Sequence, residues 1–291
     1  MKSPLPQTTL TTLVVTPRES ALTDRFLIPA IAEIEQALLS LRVETDQALG
    51  RDGARRYGKP YPLGYCWEIS QDVAERLRKR LARPVGPGER AISAFLRNGG
   101  SGRHLWGALR EKYFQNAFQF GGLYIDVAND TVDVKKPKIE ILPVQESGFA
   151  EIEDVPHFAR IAGSYWGMRI YANHALPSLA PAFPMIGINP EGHVRLQSGS
   201  QSMFERLCGD GFQRSEQWLA EGQAPPAALV EALRARCPSH LLAENPVTGQ
   251  AAALAACQAL RAEGAATGPE WRKAMLATYR AIDLIPVVER G

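Results

Sequence analysis

Cys66 stands in the segment Gly64-Tyr65-Cys66-Trp67-Glu68-Ile69-Ser70, directly after a stretch, 50–65, punctuated by glycine and proline. Ile69, Val73 and Leu77 recur behind it at helical spacing, so the pattern predicts a helix from Cys66 to Leu81 that opens on the cysteine. That position carries chemistry. A thiolate is the nucleophilic form of cysteine, and the unpaired N–H groups of a helix N-terminus favour the anion. The same N–H groups can hold the oxyanion of a tetrahedral intermediate, with the Cys66 amide or nearby Gln and Asn side chains completing the hole. A thiol nucleophile also needs a base, and the base needs a group to orient it. Five histidines are available: His104, His157, His174, His193 and His240.

The Gly-Tyr-Cys-Trp-Glu-Ile-Ser segment resembles the active-site segment of papain-like cysteine proteases and their transglutaminase-like relatives, in which a Gly-x-Cys-Trp or Gly-x-Cys stretch starts a helix. It departs from the papain pattern in lacking a second cysteine just before the nucleophile and a downstream Asn-Ser-Trp segment. The transglutaminase-like arrangement places a histidine on one strand and an aspartate on the next. This resemblance implies a catalytic set of Cys66, His104 (in Arg-His-Leu-Trp) and Asp126 (in Leu-Tyr-Ile-Asp-Val), with Cys66 attacking a carbonyl, His104 moving the proton and Asp126 fixing the imidazole tautomer. Tyr65, Trp67 and Trp106 are the candidate substrate-contacting side chains. His174, in Asn-His-Ala, is the second candidate base, although Pro177 and Pro181 follow where the papain-like pattern continues in a strand. The implied activity is acyl transfer at an amide or thioester, by hydrolysis (peptidase or deamidase) or by transfer to an amine. No cofactor and no metal are expected, and the implied substrate is a protein, a peptide or a small amide or thioester.

A second reading starts from Phe120-Gly121-Gly122-Leu123-Tyr124-Ile125-Asp126, which resembles the Gly-Gly-Ile-Tyr-x-Asp run of some nucleotide-sugar glycosyltransferases. Hard divalent cations take carboxylate ligands. Here the usual second aspartate is Ala128, and Asp130 is the next acid, leaving Asp126 and Asp130 four residues apart. A third class is a binding module without chemistry, with the aromatic residues between Trp106 and Trp166 serving as core or interface. The glycine pairs lack the spacing that cradles phosphates, and no Gly-x-Ser-x-Gly or His-Glu-x-x-His occurs.

The elements that must position these groups read as follows. Residues 9–16 are β-branched and predict a short strand; 22–49 predicts a long helix, capped at Ser20 or Thr23 and opened or kinked at Pro29; 84–88 stops the helix over 66–81, and 89–97 predicts a short helix. Between His104 and Val144, short apolar runs bounded by turn residues predict antiparallel strands, with an amphipathic helix over 106–119 as the alternative. Residues 163–196 add strand and proline-rich loops, and helices are expected over 202–221, 226–236, 248–263 and 269–282. The expected fold is α+β and papain/transglutaminase-like: N-terminal helices, a central mainly antiparallel sheet over about 104–196, and a helical C-terminal region. The organisation is a catalytic core over 1–200 with 201–291 packed on it.

Composition agrees with a globular chain of 291 residues that is 45% hydrophobic and 22% charged. The net charge of +2 and the mixed signs argue against a nucleic-acid partner; the basic run Arg76, Arg78, Lys79, Arg80 and Arg83 reads as a solvated helix face. No apolar run approaches the length of a membrane span. The first fifteen residues lack the layout of a secretory signal, which favours the cytoplasm. Cys208, Cys237 and Cys257 form no metal-binding pattern with Cys66 or the histidines and read as small buried hydrophobes.

Overall fold

The computed structural model describes residues 13–53, 55–56, 59–264 and 268–282. They divide into two compact units, Met1–Glu151 and Ile152–Gly291. The boundary therefore falls well before residue 200, and the single sheet expected over 104–196 is two separate sheets, one in each unit.

In the first unit the chain enters a helix, α1 (Pro17–Leu22), whose cap is Thr16 rather than Ser20 or Thr23. Thr16 and Glu19 form a capping box, with Pro17 at the first turn, where its missing N–H costs nothing. Pro29 does break the long helical stretch: a π turn (Thr23–Leu27) and a 3-10 turn (Ile28–Ala30) precede α2 (Ile31–Leu49). Of the predicted strand over 9–16, residues 9–12 lie outside the described residues, and 13–15 are not in a strand. Two short strands, β1 (Arg55–Arg56) and β2 (Lys59–Pro60), pair before α3 (Cys66–Ala82) and α4 (Pro87–Arg97).

Five strands follow: β3 (Gly102–Leu109), β4 (Tyr113–Phe120), β5 (Leu123–Asp126), β6 (Glu140–Pro143) and β7 (Phe149–Ala150). They form one antiparallel sheet in the order β6-β5-β4-β3-β7. The helical alternative for 106–119 is not adopted. Arg110 and Glu111 take left-handed backbone (φ 53° and 55°) and turn β3 into β4, while the Gly121–Gly122 turn joins β4 to β5. Gly121 (φ 54°) packs where a Cβ would strike Thr23 Oγ1 and the Phe95 ring, so this glycine pair serves a tight turn against the π turn and α4.

Register follows from those two turns. His104 pairs with Phe118 and Trp106 with Asn116 across β3–β4, and Phe118 pairs with Ile125 across β4–β5. Alternation then assigns the faces. Phe118, Phe120, Leu123 and Ile125 join Ile34, Leu38 and Leu41 of α2, Ile69, Val73 and Leu77 of α3, and Ile92 and Phe95 of α4 in one core. Leu105, Leu109, Ala117 and Tyr124 face the other way, onto Val144 and Phe149.

The second unit begins with a helix that the sequence pattern does not reveal, α5 (Val155–Trp166), capped by Asp154 and ended by Gly167 in left-handed backbone. A three-stranded antiparallel sheet of β8 (Arg169–Ala172), β9 (Met185–Ile188) and β10 (Val194–Gln197) follows. The predicted helix over 202–221 is two, α6 (Gln201–Gly209) and α7 (Gln213–Glu221), because Gly211 and Phe212 take left-handed backbone between them. The remaining helices, α8 (Ala227–Arg234), α9 (Gly249–Glu263) and α10 (Pro269–Ala281), lie close to their expected bounds. No helix among the described residues is long and apolar enough to cross a membrane.

Candidate active site

Two anchors set where α3 begins. Gly64, in left-handed backbone (φ 78°), donates its N–H to Thr131 O at 3.1 Å. Tyr61 packs edge-on against Tyr65 and donates its hydroxyl to Asp46 Oδ1 at 2.5 Å. Asp46 belongs to a partly buried ionic cluster. Arg42, with no exposed surface, donates Nε to Asp46 (2.8 Å), two guanidinium nitrogens to Asp130 (2.7 and 3.0 Å) and Nη1 to Val127 O (2.9 Å). Lys138 closes the cluster on both aspartates, at 2.8 and 3.3 Å. Burial alone would raise the Asp46 carboxyl, but hydrogen bonds from Lys138, Tyr61 and Arg42 hold it below the ordinary carboxylate range. The cluster ties α2 to the loop before Cys66 and to the loop after β5.

Cys66 opens α3 on a turn with no side-chain cap, since Tyr65 at the N-cap position makes no such bond. The first N–H groups of a helix have no partner within it. Asn116, on β4 opposite Trp106, points its amide Nδ2 at Cys66 Sγ at 3.5 Å. One turn further along α3, Ser70 Oγ donates to Asn116 O at 3.2 Å, pinning the helix to the strand. His104 sits on the same face of the sheet, 5% exposed. Its Nδ1 is 3.0 Å from Gln71 Nε2, its ring stacks on Trp67 with centroids 5.7 Å apart, and Phe118 meets it edge-on. Among the described residues, His104 Nε2 is buried without a hydrogen-bond partner, as is Asn116 Oδ1.

The structure therefore sets Cys66 at the start of α3 against Asn116 of β4, and His104, on the same face of the sheet, against Trp67 and Gln71 of the same helix; Tyr65 precedes Cys66 and packs on Tyr61. Trp67 is 46% exposed, so it forms the outer wall over the imidazole. Trp106 lies on the same face two residues along β3 and stacks on Phe114.

Asp126 does not join them. Ile125 shares the His104 face through Phe118, so Asp126, one residue on, points through the opposite side of the sheet. There it is fully buried, accepting from Gln115 Nε2 (2.7 Å), Tyr124 Oη (3.3 Å) and the Ala128 N–H (2.8 Å). Burial pushes its carboxyl up to about 7. The group beside the imidazole is Gln71, which sequence reasoning did not single out. Asn116 was missed as well.

The electrostatics also differ from the helix-dipole expectation. Burial pushes the Cys66 thiol up. The Asn116 amide and the N–H groups of Asn116 and Trp67 pull the other way without overcoming it, and the Asp126 charge adds to the rise. Burial pushes the His104 imidazole down to about 4. Burial thus favours the neutral form of both groups, which speaks against a resting thiolate–imidazolium ion pair.

The other candidates have structural partners. His174 lies in the second unit with Nε2 2.8 Å from Leu219 O. Asp130 is committed to Arg42 and Lys138 while Asp126 faces Gln115 and Tyr124, so the two carboxylates of the transferase reading belong to different networks. Among the described residues no group of three or more His, Cys, Asp or Glu side chains gathers where it could hold a metal ion. In the basic run of α3, Arg76, Arg78 and Arg80 are paired with Asp72, Glu44, Glu75 and Glu89. Cys208, Cys237 and Cys257 are buried, as their reading as small hydrophobes requires. No family model, curated protein or solved structure matches this chain.

Proposed function

We propose that the chain is a cysteine-dependent acyl-transfer enzyme in which Cys66 is the nucleophile, His104 the general base and Gln71 the group that orients the imidazole. The observation that carries the reading is His104 itself. It is an imidazole fixed at Nδ1 and by stacking, with Nε2 buried and without a partner among the described residues, against the helix that starts on the cysteine.

The tautomer decides the chemistry. With the Gln71 amide turned so that Oε1 accepts from Nδ1–H, Nε2 carries a lone pair and is a base. Cys66 Sγ then bonds to the carbonyl carbon as its proton passes to Nε2, and the same proton goes to the departing amine or thiol as the carbon–leaving-group bond breaks. Water or an amine attacks the acyl-enzyme in the second half. Hydrolysis and amine transfer share that intermediate, and the class of substrate is an amide or thioester. Because thiol and imidazole are both neutral at rest, the proton transfer accompanies attack. A Cys66–His104 hydrogen bond forms as the substrate seats, since such bonds are often loose before substrate is bound.

A simple acyl donor tests this. On brief treatment with p-nitrophenyl acetate at pH 7, peptide mass spectrometry is expected to find acetyl on Cys66 and not on Cys208, Cys237 or Cys257. Burial holds all three of those thiols up, to about 11 at Cys208 and about 12 at Cys257, as it does Cys66, so selectivity for Cys66 would be the work of His104 as base. Acetyl spread evenly over the four cysteines, or absent from Cys66, rules the reading out.

A further inference from the structure

We infer that Asn116 is a catalytic residue, the side-chain donor of the oxyanion hole for the reaction proposed at Cys66; the inference rests on that reading. Three observations place it there. Its Nδ2 lies 3.5 Å from Cys66 Sγ, in contact with the atom that would attack. The side chain is 3% exposed, so it is withdrawn from water where a donated hydrogen bond has most effect. Its other amide atom, Oδ1, has no partner among the described residues; the fold is tied to the backbone of Asn116, whose carbonyl accepts from Ser70 Oγ, whose N–H donates to Gln115 Oε1, and which pairs with Trp106 across β3–β4.

The geometry of addition makes the contact productive. When Sγ bonds to a carbonyl carbon, the carbonyl oxygen becomes an alkoxide one bond beyond that carbon, and it stays close to the sulfur. A donor that touches Sγ in the resting enzyme is therefore within a small side-chain rotation of the developing charge. The first turn of α3, which has no side-chain cap, supplies backbone N–H groups as further donors. At rest the amide rests on the sulfur; during addition it shifts to the oxygen. A neutral amide donor fits a neutral acyl group whose charge appears only in the transition state, which is where selective stabilisation raises the rate.

The test separates an oxyanion from a thiol effect by comparing two reagents at Cys66. Acylation by p-nitrophenyl acetate builds an oxyanion at a trigonal carbon. Alkylation by iodoacetamide displaces iodide at a tetrahedral carbon and builds none. Both rates are measured at the same pH by peptide mass spectrometry in the full chain, for the native protein and for Asn116→Leu, after thermal melting shows that the variant is folded. Asn116→Ala, which likewise carries no side-chain donor, is the second variant should Leu unfold the chain. The ratio of acylation to alkylation is expected to fall by about 10²–10³, the loss seen when one oxyanion donor is removed. A ratio that stays within threefold of native, whether both rates fall together or neither changes, overturns the inference and leaves Asn116 a structural partner of the thiol. Alkylation without any acylation of native Cys66 overturns the acyl-transfer reading itself, and the inference with it.

Discussion

His104→Ala is expected to slow acylation of Cys66 by roughly 10²–10⁴-fold, whereas Asp126→Asn slows it by less than about tenfold, below the range a positioned general base supplies. The contrast follows from which side of the sheet each residue faces. His104 packs on Trp67 and Gln71 at the start of α3, while Asp126 is held by Gln115, Tyr124 and Ala128 on the other side. A Cys-His-Asp triad predicts large losses at both positions. Rapid-mixing measurement of p-nitrophenolate release in the two variants checks this, and comparable losses in both would return Asp126 to the site. His104→Ala removes a ring from a packed contact, so melting curves accompany the kinetics.

Arg42→Ala is expected to destabilise the first unit by about 3–5 kcal/mol, read as a fall in the urea midpoint. The guanidinium has no exposure and satisfies Asp46, Asp130 and the Val127 carbonyl at once. Removing it leaves two carboxylates and a carbonyl short of a donor. Lys138 already touches both carboxylates and remains a partial partner, which places the loss toward the lower end of that range. Burying charge is costly, so the cluster is better understood as a device for position than as a source of stability. It holds the Tyr61–Tyr65 segment and the chain after β5, between which Cys66 is presented. Acylation of Cys66 in this variant therefore slows even where the chain is folded. A midpoint change equivalent to less than 1 kcal/mol would mean that the cluster behaves like a surface ion pair.

The start of α3 at Cys66 was legible because Gly64, the prolines before it and the apolar spacing behind it all act locally. The strands over 102–126 were legible in outline, but the helical alternative stayed open because the sheet is covered on both faces. Phe118 and Phe120 enter one core and Leu105, Leu109 and Ala117 the other, so no polar alternation marks a strand. Where Asp126 points is a matter of parity. Placing His and Asp on neighbouring strands says nothing about which face each uses, and a shift of one residue reverses it. The signal that could have found the answer is the Gly121–Gly122 turn. A two-residue connection pairs Phe120 with Leu123, and hence Phe118 with Ile125, which leaves Asp126 off the His104 face. A three-residue turn at 110–112 likewise pairs Trp106 with Asn116 and brings that amide to the same face as His104. Gln71 needed no register, only the recognition that it lies one turn beyond Trp67 on the same helix. For the Cys66 thiol, a helix N-terminus is visible in sequence and burial is not. Burial is the larger influence here. The split of the sheet region into two units was hidden by α5, whose apolar residues are interrupted by Pro156 and Gly163.

The most direct test of the account is the pH dependence of single-turnover acylation of Cys66 by p-nitrophenyl acetate, from pH 3 to 9. His104 works as a base only when unprotonated, and its imidazole is held down at about 4. The rate is therefore expected to rise through an acid limb near pH 4 and then stay flat through neutrality, with the limb lost in His104→Ala. A rate that instead climbs only above pH 8 with thiol ionisation, unchanged by His104→Ala, would show that no imidazole serves Cys66 and would contradict the account.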